Sequence, residues 1–158
     1  MSYTVNLKKF IFFILIPLFG GVLSSVISGN TGVKYSLLSK PAGALPYFLI
    51  VFLTTITYII TGIAAYIIHC GKINIYKKND IIKLWSITLI LSFIWQPVFY
   101  RAGFFIIGTL FLLAAFISSF LCMVKFRLQN KNAGNMMLVY MTWTGILLYI
   151  SVGIMFLN

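Results

Sequence analysis

The sequence predicts an all-α membrane protein, a bundle of five transmembrane helices. Three observations point there. The 158 residues are 61% hydrophobic and only 8% charged, whereas a soluble domain carries about 25% charged residues. So little charge cannot wet a surface, which leaves lipid as the solvent. Apolar runs of about twenty residues, the length that crosses a bilayer, recur along the chain with short polar segments between them. The 12 Lys and Arg, set against the single acid Asp80, fall in those segments and at the ends of the runs.

The first run, Phe10 to Ser28, follows Lys8 and Lys9. It is longer than the roughly 7–15 apolar residues of a signal peptide, so a retained helix is expected. Residues 29–45 are rich in Gly, Ser and Pro and read as a loop. The second span covers 46–69, and the polar connection GKINIYKKNDIIK follows it. The third covers 81–100 and the fourth 103–124. Only Arg101 and Ala102 separate these two, which makes them an antiparallel hairpin. After KFRLQNKNAGN comes the fifth span, 136–157.

Basic residues sort by side. Lys8, Lys9, Lys72, Lys77, Lys78, Lys83, Lys125, Arg127 and Lys131 share the side of the N-terminus; Lys34, Lys40 and Arg101 lie opposite. The positive-inside rule then places the N-terminus in the cytoplasm and the C-terminus outside, with the cell membrane as the expected location. Spread in this way, the charge of +11 fits anionic headgroups. A nucleic-acid footprint would gather it on one face, so no nucleic-acid partner is expected. Cys70 and Cys122 lack CxxC spacing, and His69 stands alone as a ligand, so no disulfide framework or metal site is expected.

No span holds an Asp, Glu, Lys or Arg away from its ends. Proton- or ion-coupled transport needs such groups, and hydrolysis needs a base, so neither is expected. The spans carry neutral polar groups and rings at helical spacing instead. Thr54, Thr57, Tyr58, Thr61 and Ala65 share one face of the second span. Ser92, Trp95, Gln96 and Phe99 share a face of the third; Tyr140, Trp143, Thr144, Leu147 and Ser151 share one of the fifth. Two readings stand: packing between helices, or the walls of a pocket for a flat apolar ligand. Gly20/Ser24 and Gly21/Ser25 in the first span, and Ala114/Ser118 and Ala115/Ser119 in the fourth, read as packing pairs, the last two also as a dimer contact. In SFIWQPVFY, Pro97 has no N–H for the carbonyl of Phe93. Such a kink is tolerated at membrane depth only beside protein or a cavity.

Several motifs together resemble the tryptophan-rich sensory protein/translocator protein family (TspO/MBR, the peripheral-type benzodiazepine receptors). YSLLSKP is similar to that family's W-Y-x-x-L-x-K-P through Tyr35, Leu38, Lys40 and Pro41. TYIITGIAAYI is similar to L-Y-x-x-M-G-x-A-x-W through Tyr58, Gly62 and Ala64. Trp95, Pro97 and Phe99 fit N-x-x-W-S-P-x-F-F, and Tyr140, Trp143 and Tyr149 fit Y-x-x-W-x-x-F-x-x-Y-L-N. The resemblance runs from Gly20 to Asn158. The departures are Lys34, Gly43 and Thr54 in place of family tryptophans, Ser92 and Ser151 in place of asparagines, and Gly108 near an acidic position.

The resemblance implies a five-helix receptor, often a homodimer, with a cavity beneath residues 29–45 acting as a lid. It implies porphyrins, benzodiazepine-type drugs or related flat hydrophobic molecules as ligands, with protoporphyrin or haem foremost and no obligatory cofactor. Carried over by motif position, the ligand-binding residues are Tyr35, Pro41, Thr54, Ser92, Trp95, Val98, Trp143 and Leu147. Lys34 and Lys40 would pair with propionates. Light-dependent porphyrin breakdown, with Trp143 as the redox-active side chain, and uncoupled transport of tetrapyrroles or lipids are the alternatives.

Overall fold

Helix formation in lipid is close to obligatory, because every backbone N–H and C=O must be paired within the segment. The computed structural model describes residues 6–158 and contains no strand among them. Five helices are long and apolar enough to cross a membrane. In chain order the elements are α1 (Leu7–Ser28), α2 (Thr31–Leu37), α3 (Tyr47–Cys70), α4 (Ile75–Gln96), a π-helical turn (Pro97–Arg101), α5 (Phe105–Gln129) and α6 (Lys131–Leu157). The spanning helices close a ring in the order α1, α3, α6, α5, α4.

Three boundaries differ from expectation by five residues or more: α5 runs on to Gln129 and not to 124, and two helices start early. α4 begins at Ile75 and not near 81; α6 begins at Lys131 and not near 136. Both starts are set by asparagines: Asn74 Oδ1 accepts from the Tyr76 N–H at 2.9 Å, and Asn130 Oδ1 from the Ala133 N–H at 3.1 Å. Such caps pair donors that a helix start leaves free. The first turns are polar, so hydropathy alone could not see them.

Residues 29–45 are not all loop. Thr31–Leu37 is a short helix, capped by Asn30. Its C-terminal end is held by Lys40, whose Nζ donates to the carbonyls of Tyr35 (3.1 Å), Ser36 (3.3 Å) and Leu38 (2.8 Å). A cation at that end also suits the helix dipole. The Lys40 ammonium, 5.2 Å from the Tyr35 ring centroid, thereby uses all three of its donors.

The two ends of the bundle match the two sides of the charge pattern. At one end Lys78 Nζ donates to His69 O at 2.7 Å. At the other, Arg101 Nη1 donates to Ile27 O at 2.8 Å, Lys34 Nζ to Tyr100 O at 2.9 Å, and Asn158 pairs with Ser39.

In the half nearer the N-terminus, helices meet through small residues and committed polar groups. Gly62 lets α1 pass close to α3: a Cβ there would sit 2.6 Å from Phe13 O and 2.9 Å from Ile14 Cα. Trp85 Nε1 donates to Thr61 Oγ1 at 3.0 Å, and Thr61 passes its own hydrogen to Met137 Sδ at 3.1 Å, tying α3, α4 and α6. Thr88 and Ser118 hydroxyls meet at 2.6 Å between α4 and α5. Ala115, Ser118 and Ser119 are buried inside the protomer. The α5 small-residue pairs therefore contribute to packing within the protomer, with Ala114 half-buried.

Candidate functional site

In the other half the polar-aromatic faces of α3, α4 and α6 converge. Ile50, Thr54 and Tyr58 from α3, Ser92, Trp95 and Gln96 from α4, Leu112 from α5, and Tyr140, Trp143, Thr144 and Leu147 from α6 line one cavity. Helical spacing accounts for the set: positions 50, 54 and 58, then 92, 95 and 96, then 140, 143, 144 and 147 each repeat at three or four residues. The free space is about 30 Å³, room for a water or two. The side chains themselves close the cavity.

Cross-helix hydrogen bonds latch it. Trp143 Nε1 donates to Thr54 Oγ1 at 3.1 Å, and Thr54 donates to Ile50 O at 2.6 Å. Ser92 Oγ and Tyr140 Oη lie 2.6 Å apart. Thr144 donates to Met141 O at 2.8 Å. The Trp95 ring packs against Phe99 and Tyr100, with centroids 5.8 and 5.6 Å away.

A second opening lies on the lipid side. Leu18, Gly21, Val22, Ser25 and Val26 of α1 face Tyr47, Ile50, Val51, Thr54, Thr55 and Tyr58 of α3 across a groove of about 250 Å³, with Gln96 at its floor. Ile50, Thr54, Tyr58 and Gln96 line both spaces. Groove and cavity thus share a wall, at a place where α1 stands between α3 and α4 in the ring.

Pro97 shapes the α4 side of this wall. The chain after Gln96 winds as a π-helix, with the Ala102 N–H bonded to Pro97 O at 3.0 Å. π turns often mark functional sites. The Phe93 carbonyl, which Pro97 cannot serve, accepts from Ser24 Oγ of α1 at 2.6 Å. Gly103, at φ +71°, then turns the chain into α5.

Of the eight residues carried over by motif, Thr54, Ser92, Trp95, Trp143 and Leu147 line the cavity. Three stand elsewhere. Tyr35 is buried under α2, where its hydroxyl donates to Leu45 O at 2.8 Å. Burial raises that phenol's pKa, so it serves as a neutral donor. Pro41 packs on Gly153 of α6, where a Cβ would run into the proline ring. Val98 lies in the π turn and passes its carbonyl to the Phe104 N–H at 3.2 Å. The expected propionate partners are also engaged: Lys40 is saturated by α2 carbonyls, and Lys34 clasps Tyr100 O. Phe99, on the same face of the third span as Trp95 by spacing, is sealed against Gly108 and Phe105.

Two departures from the family pattern gain a physical reason. Gly43 adopts φ +79°, a conformation that costs a side-chain-bearing residue about 1–2 kcal/mol, so a tryptophan is excluded by the turn. Gly108 lies against Phe99, and a Cβ there would sit 2.8 Å from Phe99 Cβ. An acid does not fit. Tyr58, Gln96, Tyr140 and Thr144 were visible as members of polar stripes, while Ile50 and Leu112 carry no sequence signal beyond being apolar.

A ring of five lipid-facing helices around a small aromatic cavity defines a polytopic helical membrane protein with an intra-bundle site. The model of the TspO/MBR family matches residues 13–157, and the chain belongs to that family. It is an integral membrane protein. No curated protein sequence matches the chain closely enough to count as a relative.

Proposed function

We propose that the protein is a membrane receptor for flat hydrophobic ligands, porphyrins such as protoporphyrin or haem first among them and benzodiazepine-type molecules second. The observation that carries this reading is the shared wall. A closed aromatic cavity and a lipid-side groove of about 250 Å³ meet across a single side-chain layer. A cavity of about 30 Å³ cannot hold a macrocycle as it stands. A ligand entering from lipid would part α1 from α3, push through the shared wall and occupy both spaces, with Trp95 and Trp143 on its faces. The basic residues of the other end would face the cytoplasm, so the site would lie in the outer half of the bilayer, under α2. Two copies are expected to pair in the membrane.

The test is a protoporphyrin titration in lipid nanodiscs, read by tryptophan quenching. Trp143→Phe and Trp95→Phe should each weaken binding about tenfold, the scale of a lost base-sized stacking contact. Binding equal to the parent in both variants would place the ligand elsewhere.

A further inference from the structure

The polar groups around the cavity fall into two sets. Thr54, Ser92, Tyr140, Trp143 and Thr144 are spent on one another or on backbone carbonyls. The Tyr58 hydroxyl and one N–H of the Gln96 amide have no hydrogen-bond partner among the described residues, and neither is sealed from open space. Gln96 Oε1 lies 3.3 Å from Ser24 Oγ. That hydroxyl has one hydrogen, and its 2.6 Å approach to Phe93 O uses it. With the amide turned to suit that contact, one N–H of Gln96 goes to Ser24 Oγ and the second stays free.

Position makes the pair informative. Tyr58 and Gln96 line both the cavity and the groove. One comes from α3, the other from the last turn of α4, and both stand in the wall that groove and cavity share. Donors at bilayer depth facing hydrocarbon are costly. A wall that keeps two of them, while the neighbouring threonines and serine are satisfied, is suited to a ligand that brings an acceptor.

We propose that Tyr58 and Gln96 are the specificity-determining pair of the site. Both donate to a carbonyl oxygen on the edge of a planar apolar ligand that passes from the groove into the cavity. The protein would then prefer carbonyl-bearing planar molecules to hydrocarbons of the same shape. This rests on the pocket reading above and adds the chemistry of its door. Gly21 supports the placement: the Tyr58 ring lies directly on it, and any Cβ there would collide with the ring. The ring is thus held on the α1 side of the shared wall.

The probes are 9-fluorenone and fluorene, planar three-ring molecules that differ by a carbonyl in place of a methylene. Equilibrium dialysis against protein-loaded and empty nanodiscs cancels partition into lipid. The parent should bind fluorenone about tenfold tighter than fluorene, the effect of two hydrogen bonds worth about threefold each. Gln96→Leu and Tyr58→Phe should each lower that ratio about threefold, and the double variant should bring it near one. Unfolding stability of each variant, measured in the same nanodiscs, reports that it is folded. Equal binding of the two probes by the parent, or a ratio undiminished in both variants, overturns the pair's role. So does failure of both probes to bind while protoporphyrin still quenches, which leaves the pocket reading standing. Failure of all three ligands overturns both.

Discussion

The two halves of the bundle use the same residue types to opposite ends. In the half nearer the N-terminus, Trp85 is 2% exposed, its N–H is bonded to Thr61, and Phe13, Ala65, Ile68, Phe126 and Met137 fill the space around it. In the other half, Trp95 and Trp143 are each 5% exposed, yet they face a cavity, and beside them a tyrosine and a glutamine keep free donors. The difference lies in commitment. Where every hydrogen bond closes between helices, the half is a clamp. Where a proline breaks the ladder and two donors stay open, the half can part.

That contrast can be broken by mutation, the largest effect coming first. Trp85→Ala leaves a void and an unserved Thr61, and should cost about 3–5 kcal/mol, measured by unfolding in mixed micelles. Next, Gly62→Val drives a side chain into the α1 backbone at Phe13 and Ile14, and should cost about 2 kcal/mol by overpacking. Smaller again, Ser24→Ala removes the donor to Phe93 O and should cost about 1–2 kcal/mol. It should also speed amide exchange in residues 98–102. Smallest in global stability is Lys40→Met. It uncaps α2 and should cost less than about 1 kcal/mol, while hydrogen exchange at residues 35–38 rises clearly. A Ser24→Ala variant that changes nothing would mean that the π turn does not need α1.

The five spans were legible because lipid imposes one rule on composition, and hydropathy reports it directly. The extra turns at Ile75 and Lys131 were not, because capped polar turns outside the hydrocarbon carry no hydropathy signal. α2 was hidden for a related reason. Its seven residues include glycine and serine, and its stability comes from Lys40 and from Tyr35 packed beneath it. For the site, the helical stripes read from residues alone did better than motif positions at the loop. Thr54, Ser92, Trp95, Trp143 and Leu147 sit on spanning helices whose faces are set by periodicity. Tyr35, Pro41 and Val98 sit in the loop and the π turn, where backbone geometry decides and a single sequence is silent. Gln96 is the instructive case. It had no role as a stripe member, and gained one only when Ser24, Phe93 and the groove were seen around it.

The central claim is that one half of the bundle holds the fold and the other holds the ligand. A paired measurement on two tryptophans tests it most directly: unfolding stability and protoporphyrin affinity of Trp85→Phe and Trp143→Phe, in the same nanodiscs. The account predicts that Trp85→Phe loses about 1–2 kcal/mol of stability with its affinity intact. Trp143→Phe should lose about tenfold in affinity and, for its one bond to Thr54, no more than about 1 kcal/mol of stability. Equal loss of affinity in both variants, or none in Trp143→Phe, would contradict it.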